Sequence, residues 1–350
     1  MRIPANFINI RSIMTKILIT GGAGFIASNF IRYILEKYDD YSVINIDKLT
    51  YAGNLYNLRD VERDPRYKFI RGNICNKKAI EGIFKREMPE LVVNFAAATN
   101  VDQSIIEPEV FTETNVLGVH ILLEAARKFG IKKFLQISTD EVYGSADEHK
   151  FKETDNISPN NPYSSSKAGA DLLARSYYNT FGLPVVVTRS SNNFGSFQFP
   201  EKLIPFFITN LLENKKVTLY GDGSNIRDWI YVLDNCIGID IVLHKGNVGE
   251  AYNIGGGNEK SNLEVTKLIL QETGKDESFI EYVKDRPGHD FRYALDTTKT
   301  RKLGWEPKHD FEEAIIQTVS WYRNNGSWWK RIKSKKQFKN YKKQLKGILK

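Results

Sequence analysis

Tyr163-Ser164-Ser165-Ser166-Lys167 sets a phenol and an ammonium four residues apart, which on a helix is one turn along one face. A free phenol titrates near ~10 and is a poor base at neutral pH, but a neighbouring cation favours the phenolate and lowers that value. Such a pair can draw the proton from a hydroxyl while hydride leaves the same carbon. Upstream, Ile137-Ser138-Thr139-Asp140-Glu141-Val142-Tyr143-Gly144 brings two carboxyls side by side. Adjacent acids serve as an acid and a base if their surroundings push their pKa values apart. Strict strand alternation points Asp140 away from Thr139 and Glu141, so the chain must leave the extended form here for both to act together.

The elements that would carry these groups alternate in type. Lys16–Thr20 is a short apolar run entering glycines, Phe25–Tyr38 places Phe30, Ile31, Ile34 and Leu35 on one helical stripe, and Ser42–Ile46 is a strand stopping at Asp47. Strands at Tyr67–Ile70, Leu91–Phe95, Lys132–Ser138 and Pro184–Thr188 interleave with helices Lys77–Arg86, Val110–Phe129 and Tyr163–Phe181. This pattern predicts an α/β fold with a doubly wound parallel (Rossmann) sheet, which binds ligands at the carboxyl ends of its strands. Thr20-Gly21-Gly22-Ala23-Gly24-Phe25-Ile26-Ala27 joins the first strand to the first helix. Gly21 allows the tight turn, and Gly24 lets main chain approach a pyrophosphate at the positive helix end. Asp47, at the tip of the next strand, is placed to accept from a ribose diol and would repel a 2′-phosphate; the expected cofactor is NAD rather than NADP.

After Arg189 the alternation weakens, predicting a second, smaller α/β substrate lobe. The expected division is a disordered extension at 1–14, a cofactor domain at 15–190 with a returning segment near 228–253, an interleaved nucleotide-sugar lobe at 191–330, and a basic tail at 331–350. The formal charge is +8. From Lys330 to Lys350 there are nine lysines, one arginine and no acid, so that stretch carries +10 and the rest of the chain −2. The basicity therefore belongs to the tail and gives no reason to expect nucleic acid on the folded body. No apolar run approaches the ~20 residues of a membrane span, and no membrane partner is expected. Cys75 and Cys236, the two cysteines, offer neither a disulfide framework nor metal-ligand spacing, so no metal is expected and a reducing cytoplasm fits.

With these marks in place, the chain resembles the extended short-chain dehydrogenase/reductases, and among them the nucleotide-sugar 4,6-dehydratases, over about Lys16–Lys330. The resemblance rests on Thr139-Asp140-Glu141 with Tyr163 and Lys167, Ser191-Asn192-Asn193-Phe194-Gly195, Phe199-Pro200-Glu201-Lys202-Leu203-Ile204-Pro205, Ile226-Arg227-Asp228-Trp229, Tyr252-Asn253-Ile254-Gly255-Gly256 and Asp285-Arg286-Pro287-Gly288-His289-Asp290. Epimerases of the same family share the glycine loop and the Tyr/Lys pair but lack the adjacent Asp-Glu.

The resemblance implies a nucleoside diphosphate hexose as substrate, glucose on a dTDP or a UDP handle, processed toward deoxysugars of the rhamnose type. Tyr163, assisted by Lys167 and Thr139, would oxidise C4; Glu141 would remove the C5 proton; protonated Asp140 would release the C6 hydroxyl as water. It further implies cofactor contacts from Phe25, Ile26, Lys48, Leu49, Thr50, Asn73, Ile74, Phe95, Ala96, Ala97, Thr114 and Asn193, alongside Gly21, Gly24 and Asp47. Substrate contacts would come from Thr99, Asn192, Lys202, Leu203, Tyr220, Arg227, Asn253, Arg286 and His289, and paired long helices imply a homodimer. The chain departs from the family at Ala98, Asn100 and Gln103, where Glu, His and Arg are usual, and this bears on hexose selectivity. Asn73 replaces an Asp but can still accept from an adenine amino group. A 4-epimerase or decarboxylase on the same scaffold, and a non-catalytic NAD-bound protein, are the competing expectations.

Overall fold

A computed structural model describes residues 14–285, 290–335 and 338. Residues 1–13 of the expected extension lie outside the described residues; of the expected basic tail at 331–350, residues 331–335 and 338 are described, 331–334 as the end of a helix. The first strand, β1 (Thr15–Thr20), is followed by α1 (Phe25–Lys37), β2 (Tyr41–Asp47), β3 (Tyr67–Arg71), α2 (Lys77–Glu87) and β4 (Leu91–Asn94). Two short helices, α3 (Val101–Ile106) and α4 (Pro108–Phe111), lead through a π-helical turn (Thr112–Leu117) into α5 (Gly118–Phe129). Next come β5 (Lys133–Thr139), a 3₁₀ turn (Asp140–Tyr143), α6 (Pro162–Phe181), β6 (Val185–Ser190) and β7 (Asn192–Phe194). The remainder comprises α7 (Leu203–Leu211), β8 (Val217–Tyr220), β9 (Ile226–Tyr231), α8 (Val232–Lys245), β10 (Ala251–Ile254), β11 (Asn258–Ser261), α9 (Asn262–Thr273), β12 (Ile280–Val283), α10 (Thr298–Arg301), α11 (Phe311–Asn324) and α12 (Gly326–Ser334).

Seven strands form one parallel sheet in the order β10-β6-β5-β4-β1-β2-β3. Its strands are apolar on both faces because both are covered. Ile17 and Ile19 of β1 pack with Phe30, Ile31 and Ile34 of α1 and with Ile239 and Val242 of α8. Leu18, between them, faces Ile80 and Phe84 of α2, Leu122 of α5 and Ala174 of α6. The order reverses direction between β1 and β4, and that switch point opens the crevice where the glycine loop lies. The strand that returns from the later sequence is β10, whereas β9 joins β11 and β7 in a second sheet, and β12 pairs with β8 in a third.

Local chemistry explains the boundaries that matter to the site. Pro162 opens α6 behind a reciprocal cap between Asn161 and Ser164, and Gly182, at φ 68°, closes it. The long helix expected at Val110–Phe129 is interrupted by the π turn, which begins one residue after α4 ends. There Asn115 turns inward and grips the strand-end loop: Ala98 N donates to its Oδ1 at 2.8 Å, and its Nδ2 donates to Ala98 O at 3.0 Å and to Ser166 Oγ at 2.8 Å. No described helix is long and apolar enough to cross a membrane.

Candidate active site

The departure from strand geometry needed at Asp140 is made by Thr139. Its hydroxyl accepts from Glu141 N at 3.3 Å, capping the 3₁₀ turn Asp140–Tyr143, and Gly144 ends that turn at φ 86°. Asp140, Glu141 and Tyr163 are thereby brought together, close enough that the charges of both acids act on the phenol. Asp140 is 3% exposed; its Oδ1 accepts from Thr139 Oγ1 at 3.1 Å, while its buried Oδ2 has no hydrogen-bond partner among the described residues. Burial raises its carboxyl well above the ordinary range, and the charges of Glu141 and Asp228 add to this against Thr139 and Arg227. This environment favours the neutral form of Asp140. Its neighbour Glu141 lines an open cleft. One carboxyl is shielded and the other wetted, which is the asymmetry an acid and a base require.

The Tyr163 phenol bonds to Thr139 but is raised well above 10 by burial, then by Glu141 and Asp140. The expected lowering by Lys167 is not found. Lys167 is 5% exposed, and its Nζ donates to Ile137 O at 2.6 Å, so its ammonium is spent on the end of β5 rather than on the phenol. Burial draws Lys167 down to about 8, with Asp171 opposing. Among the described residues, the hydrogen bond from Thr139 is what favours the phenolate.

On the cofactor side, Gly21 has φ 70°, and a Cβ there would lie 2.8 Å from Ala96 Cα and N. Gly24 caps α1 without a side-chain bond, and no acid occupies the first turn, so the positive helix end stays open to an anion. Asp47 does more than expected: its two oxygens accept from Ala23 N (3.0 Å) and Leu49 N (2.7 Å), bracing the glycine loop against β2. Each oxygen keeps a lone pair for a ribose. Phe25 and Ile26 open α1; Lys48, Leu49 and Thr50 follow β2, with Lys48 and Thr50 exposed; Asn73 and Ile74 follow β3. Phe95, Ala96 and Ala97 follow β4, half-buried, and Thr114 is half-buried on the π turn. Asn193 donates to Ser191 O at 2.9 Å, leaving its buried Oδ1 without a hydrogen-bond partner among the described residues. An orphaned acceptor, a glycine cradle and an uncapped helix end fit a dinucleotide.

The cleft, about 120 Å³, is lined by Asn100, Val101, Asp102, Glu141, Asn192, Glu201, Lys202, Arg227 and Tyr293. Asn192, Lys202 and Arg227 were expected there. Lys202 donates to Thr99 O at 2.9 Å, joining the loop after β4 to the start of α7, where Leu203 packs on the core. Arg227 donates to Asp290 O at 2.9 Å and lies over the Tyr293 ring at 4.4 Å. Tyr220, half-buried at the end of β8, does not line the cleft. Arg286 and His289 lie outside the described residues.

Asn253 is a correction. It is fully buried, its Nδ2 donates to Phe151 O (2.9 Å) and Asp296 O (3.2 Å), and its Oδ1 accepts from Tyr143 Oη (2.9 Å). Those bonds occupy it in the interior, so it does not face the cleft. Sequence reasoning in turn missed Glu201, Asn100 and Tyr293 as cleft residues. Glu201 was visible as an acid beside Lys202, but nothing local showed that its carboxyl is buried and accepts from Tyr51 Oη at 2.9 Å.

Comparisons with known proteins identify the family. The family described as GDP-mannose 4,6 dehydratase matches residues 18–318. Low-salt glycan biosynthesis protein Agl12 of Haloferax volcanii is 51% identical over 306 residues, covering 87% of this chain and 98% of that one. A dTDP-glucose 4,6-dehydratase of Actinoplanes sp. is 48% identical over 320 residues, covering 90% and 99%. The crystal structure of a dTDP-glucose 4,6-dehydratase from Streptomyces venezuelae with NAD and dTDP bound is 46% identical, with a TM-score of 0.89 over 91% of this chain and 100% of that one.

Proposed function

Because the chain belongs to the GDP-mannose 4,6-dehydratase family, we propose that it dehydrates dTDP-glucose to dTDP-4-keto-6-deoxyglucose as an NAD-dependent hydro-lyase. The observation that carries this reading is Asp140: a buried acid with an unpartnered oxygen among the described residues, one residue from a cleft-lining carboxylate and beside a phenol. Gly21, Gly24 and Asp47 would hold NAD, which when bound would supply a hydride acceptor for C4 and a hydride donor for C6, leaving the net reaction redox-neutral.

The protein's residues move the protons. Tyr163, bonded to Thr139, takes the C4 hydroxyl proton as its phenolate, a form that the positive charge of NAD, when bound, would favour where Lys167 does not. Lys167 braces the end of β5 through Ile137 O. The C4 ketone acidifies C5–H, and Glu141 removes that proton. Asp140 gives its proton to the C6 hydroxyl, which leaves as water rather than hydroxide. Glu141 then reprotonates C5. Arg227, Lys202 and Asn192 bind the diphosphate and sugar, and Arg286 and His289 are assigned to the diphosphate by resemblance alone. In this reading residues 15–190, with β10, carry the cofactor and 191–330 the sugar nucleotide.

Mass spectrometry of dTDP-glucose and UDP-glucose after incubation with the pure protein tests this. Loss of one water from dTDP-glucose, abolished in Asp140→Asn, is expected; loss from UDP-glucose alone would move the handle to UDP. Intact sugars, or a C4 epimer, would overturn dehydration. The product's 4-keto-6-deoxy sugar suits deoxysugar synthesis of the rhamnose type, and two free thiols suit the cytoplasm.

The protein is further read as a homodimer. Leu117 (46% exposed) and Leu173 line an apolar depression along α4, the π turn, α5 and α6, and the neighbouring residue on α6, Leu172, is 52% exposed. A face this apolar calls for a partner, and a second copy would form a four-helix pairing. Leu172→Glu is expected to halve the mass seen by sedimentation; a monomeric wild type would overturn the dimer.

A further inference from the structure

Behind the catalytic turn, away from the cleft, lies a charge pair that the reaction does not use. Arg189 of β6 and Asp171 of α6 are both fully buried. The guanidinium grips the carboxylate with two nitrogens, Nε to Oδ2 at 2.8 Å and Nη2 to Oδ1 at 3.1 Å. Its third nitrogen, Nη1, donates to Tyr143 Oη at 2.7 Å and to Glu153 O at 3.3 Å. Tyr143 closes the 3₁₀ turn begun by Asp140, and its hydroxyl passes the chain on to Asn253 Oδ1. The Tyr143 ring stacks on Phe151 with centroids 4.9 Å apart and planes 9° apart, and the guanidinium sits 4.9 Å from its centroid on the Arg189 side.

Burying two full charges costs stability unless every donor and acceptor is met, and apolar residues of like volume would often serve stability as well or better. What an apolar pair could not supply is direction. A forked guanidinium fixes planes and angles at each partner. Here its partners are the helix that carries Tyr163 and Lys167, through Asp171 one turn beyond Lys167, and the turn that carries Asp140 and Glu141, through Tyr143. A four-residue 3₁₀ turn has too few internal bonds to hold its own orientation. Thr139 pins its front, and Tyr143 pins its back.

We propose that Arg189 and Tyr143 are positioning residues for the elimination step, holding the Asp140–Glu141 turn in register with the Tyr163–Lys167 helix. This rests on the dehydratase reading above. Oxidation at C4 uses Tyr163, which its own helix and Thr139 hold. Elimination across C5 and C6 uses both acids of the turn. Loosening the turn at its back therefore separates the two steps.

The test is Tyr143→Phe, which keeps the stacked ring and removes the one hydroxyl that joins Arg189 to Asn253. In single-turnover mixing with dTDP-glucose, the rise of reduced-nicotinamide absorbance reports C4 oxidation, and quenched samples weighed by mass spectrometry report loss of water. Oxidation is expected to stay within about twofold of wild type while elimination slows roughly 10–100-fold, the cost of displacing a catalytic group by up to an ångström. Arg189→Lys, which keeps the charge but loses the fork, is the second variant and should show the same split. If both rates fall together with a lowered melting temperature, the network is merely structural and the proposal fails. It fails equally if both variants eliminate at the wild-type rate. A wild-type protein that oxidises no sugar would instead overturn the dehydratase reading, which is a separate result.

Discussion

The proposed floor for the dinucleotide and the proposed wall for the hexose are made of different material. The floor is main chain: the positive φ of Gly21, the uncapped start of α1 and a loop after β4 approached too closely for any Cβ. The wall is side chains drawn from distant parts of the sequence: Glu141 from the turn after β5 with buried Asp140 beside it, Asn192 from β7, Glu201 from just before α7, and Arg227 from β9. Main chain offers donors with fixed geometry and no titration. Side chains offer protons, and burial decides which of them are kept. In this reading the pyrophosphate cradle falls to the part that cannot change its charge, Asp47 adds an acid beside it, and the chemistry falls to the part whose charge is set by how deeply it is covered.

Perturbing the wall should have the largest effect. Asp140→Asn keeps the shape and removes the transferable proton, so loss of water should slow by about 10²–10⁴-fold with C4 oxidation retained. The same variant should melt higher than wild type at alkaline pH. A carboxyl whose folded-state pKa is raised contributes stability that is full below its unfolded value and is lost as pH rises through the folded one; asparagine has no such loss. Perturbing the floor should act on binding and stability instead. Gly21→Ala forces a Cβ against Ala96 at a left-handed φ and should cost about 2–3 kcal/mol, read as a lower melting temperature and weaker NAD titration. If Gly21→Ala spared NAD affinity and slowed only elimination, the division between floor and wall would be wrong. The smallest effect is one of tuning. Asp228, whose own pKa is pushed up to about 7, helps keep Asp140 protonated. Asp228→Asn should move the alkaline limb of the elimination rate to lower pH by under about one unit.

That division also explains what could be read from the sequence. Glycine spacing, strand and helix period, and an acid at a strand tip are local signals, and the alternation from Lys16 to Thr188 needed nothing more. The wall was legible only where motif and chemistry coincide, at Thr139-Asp140-Glu141 and at Tyr163 with Lys167. Arg189 escaped because an arginine after Val-Val-Val-Thr looks like the chain leaving the sheet, when it is a paired charge inside it. Asn253 misled for the opposite reason. Polarity in a strand suggests a ligand-facing side, but β10 is buried on both faces and its one amide is bonded in the interior. The Tyr163–Lys167 spacing gave the helix face correctly; where the ammonium points depends on Ile137, a carbonyl no spacing rule reaches. Periodicity likewise averaged over the π turn, since one extra residue per turn barely disturbs a stripe.

The edge position of β10 bears on how the protein comes into being. Six strands of the main sheet are complete by Ser190, yet the open side of β6 is closed only by residues 251–254, which also bring Asn253 to Tyr143. A nascent chain emerging from the ribosome would therefore carry an unpaired edge, a template for wrong partners, through roughly sixty residues of synthesis. The catalytic turn matures with the later half of the polypeptide, so truncations that spare every acid should still yield an incompetent enzyme.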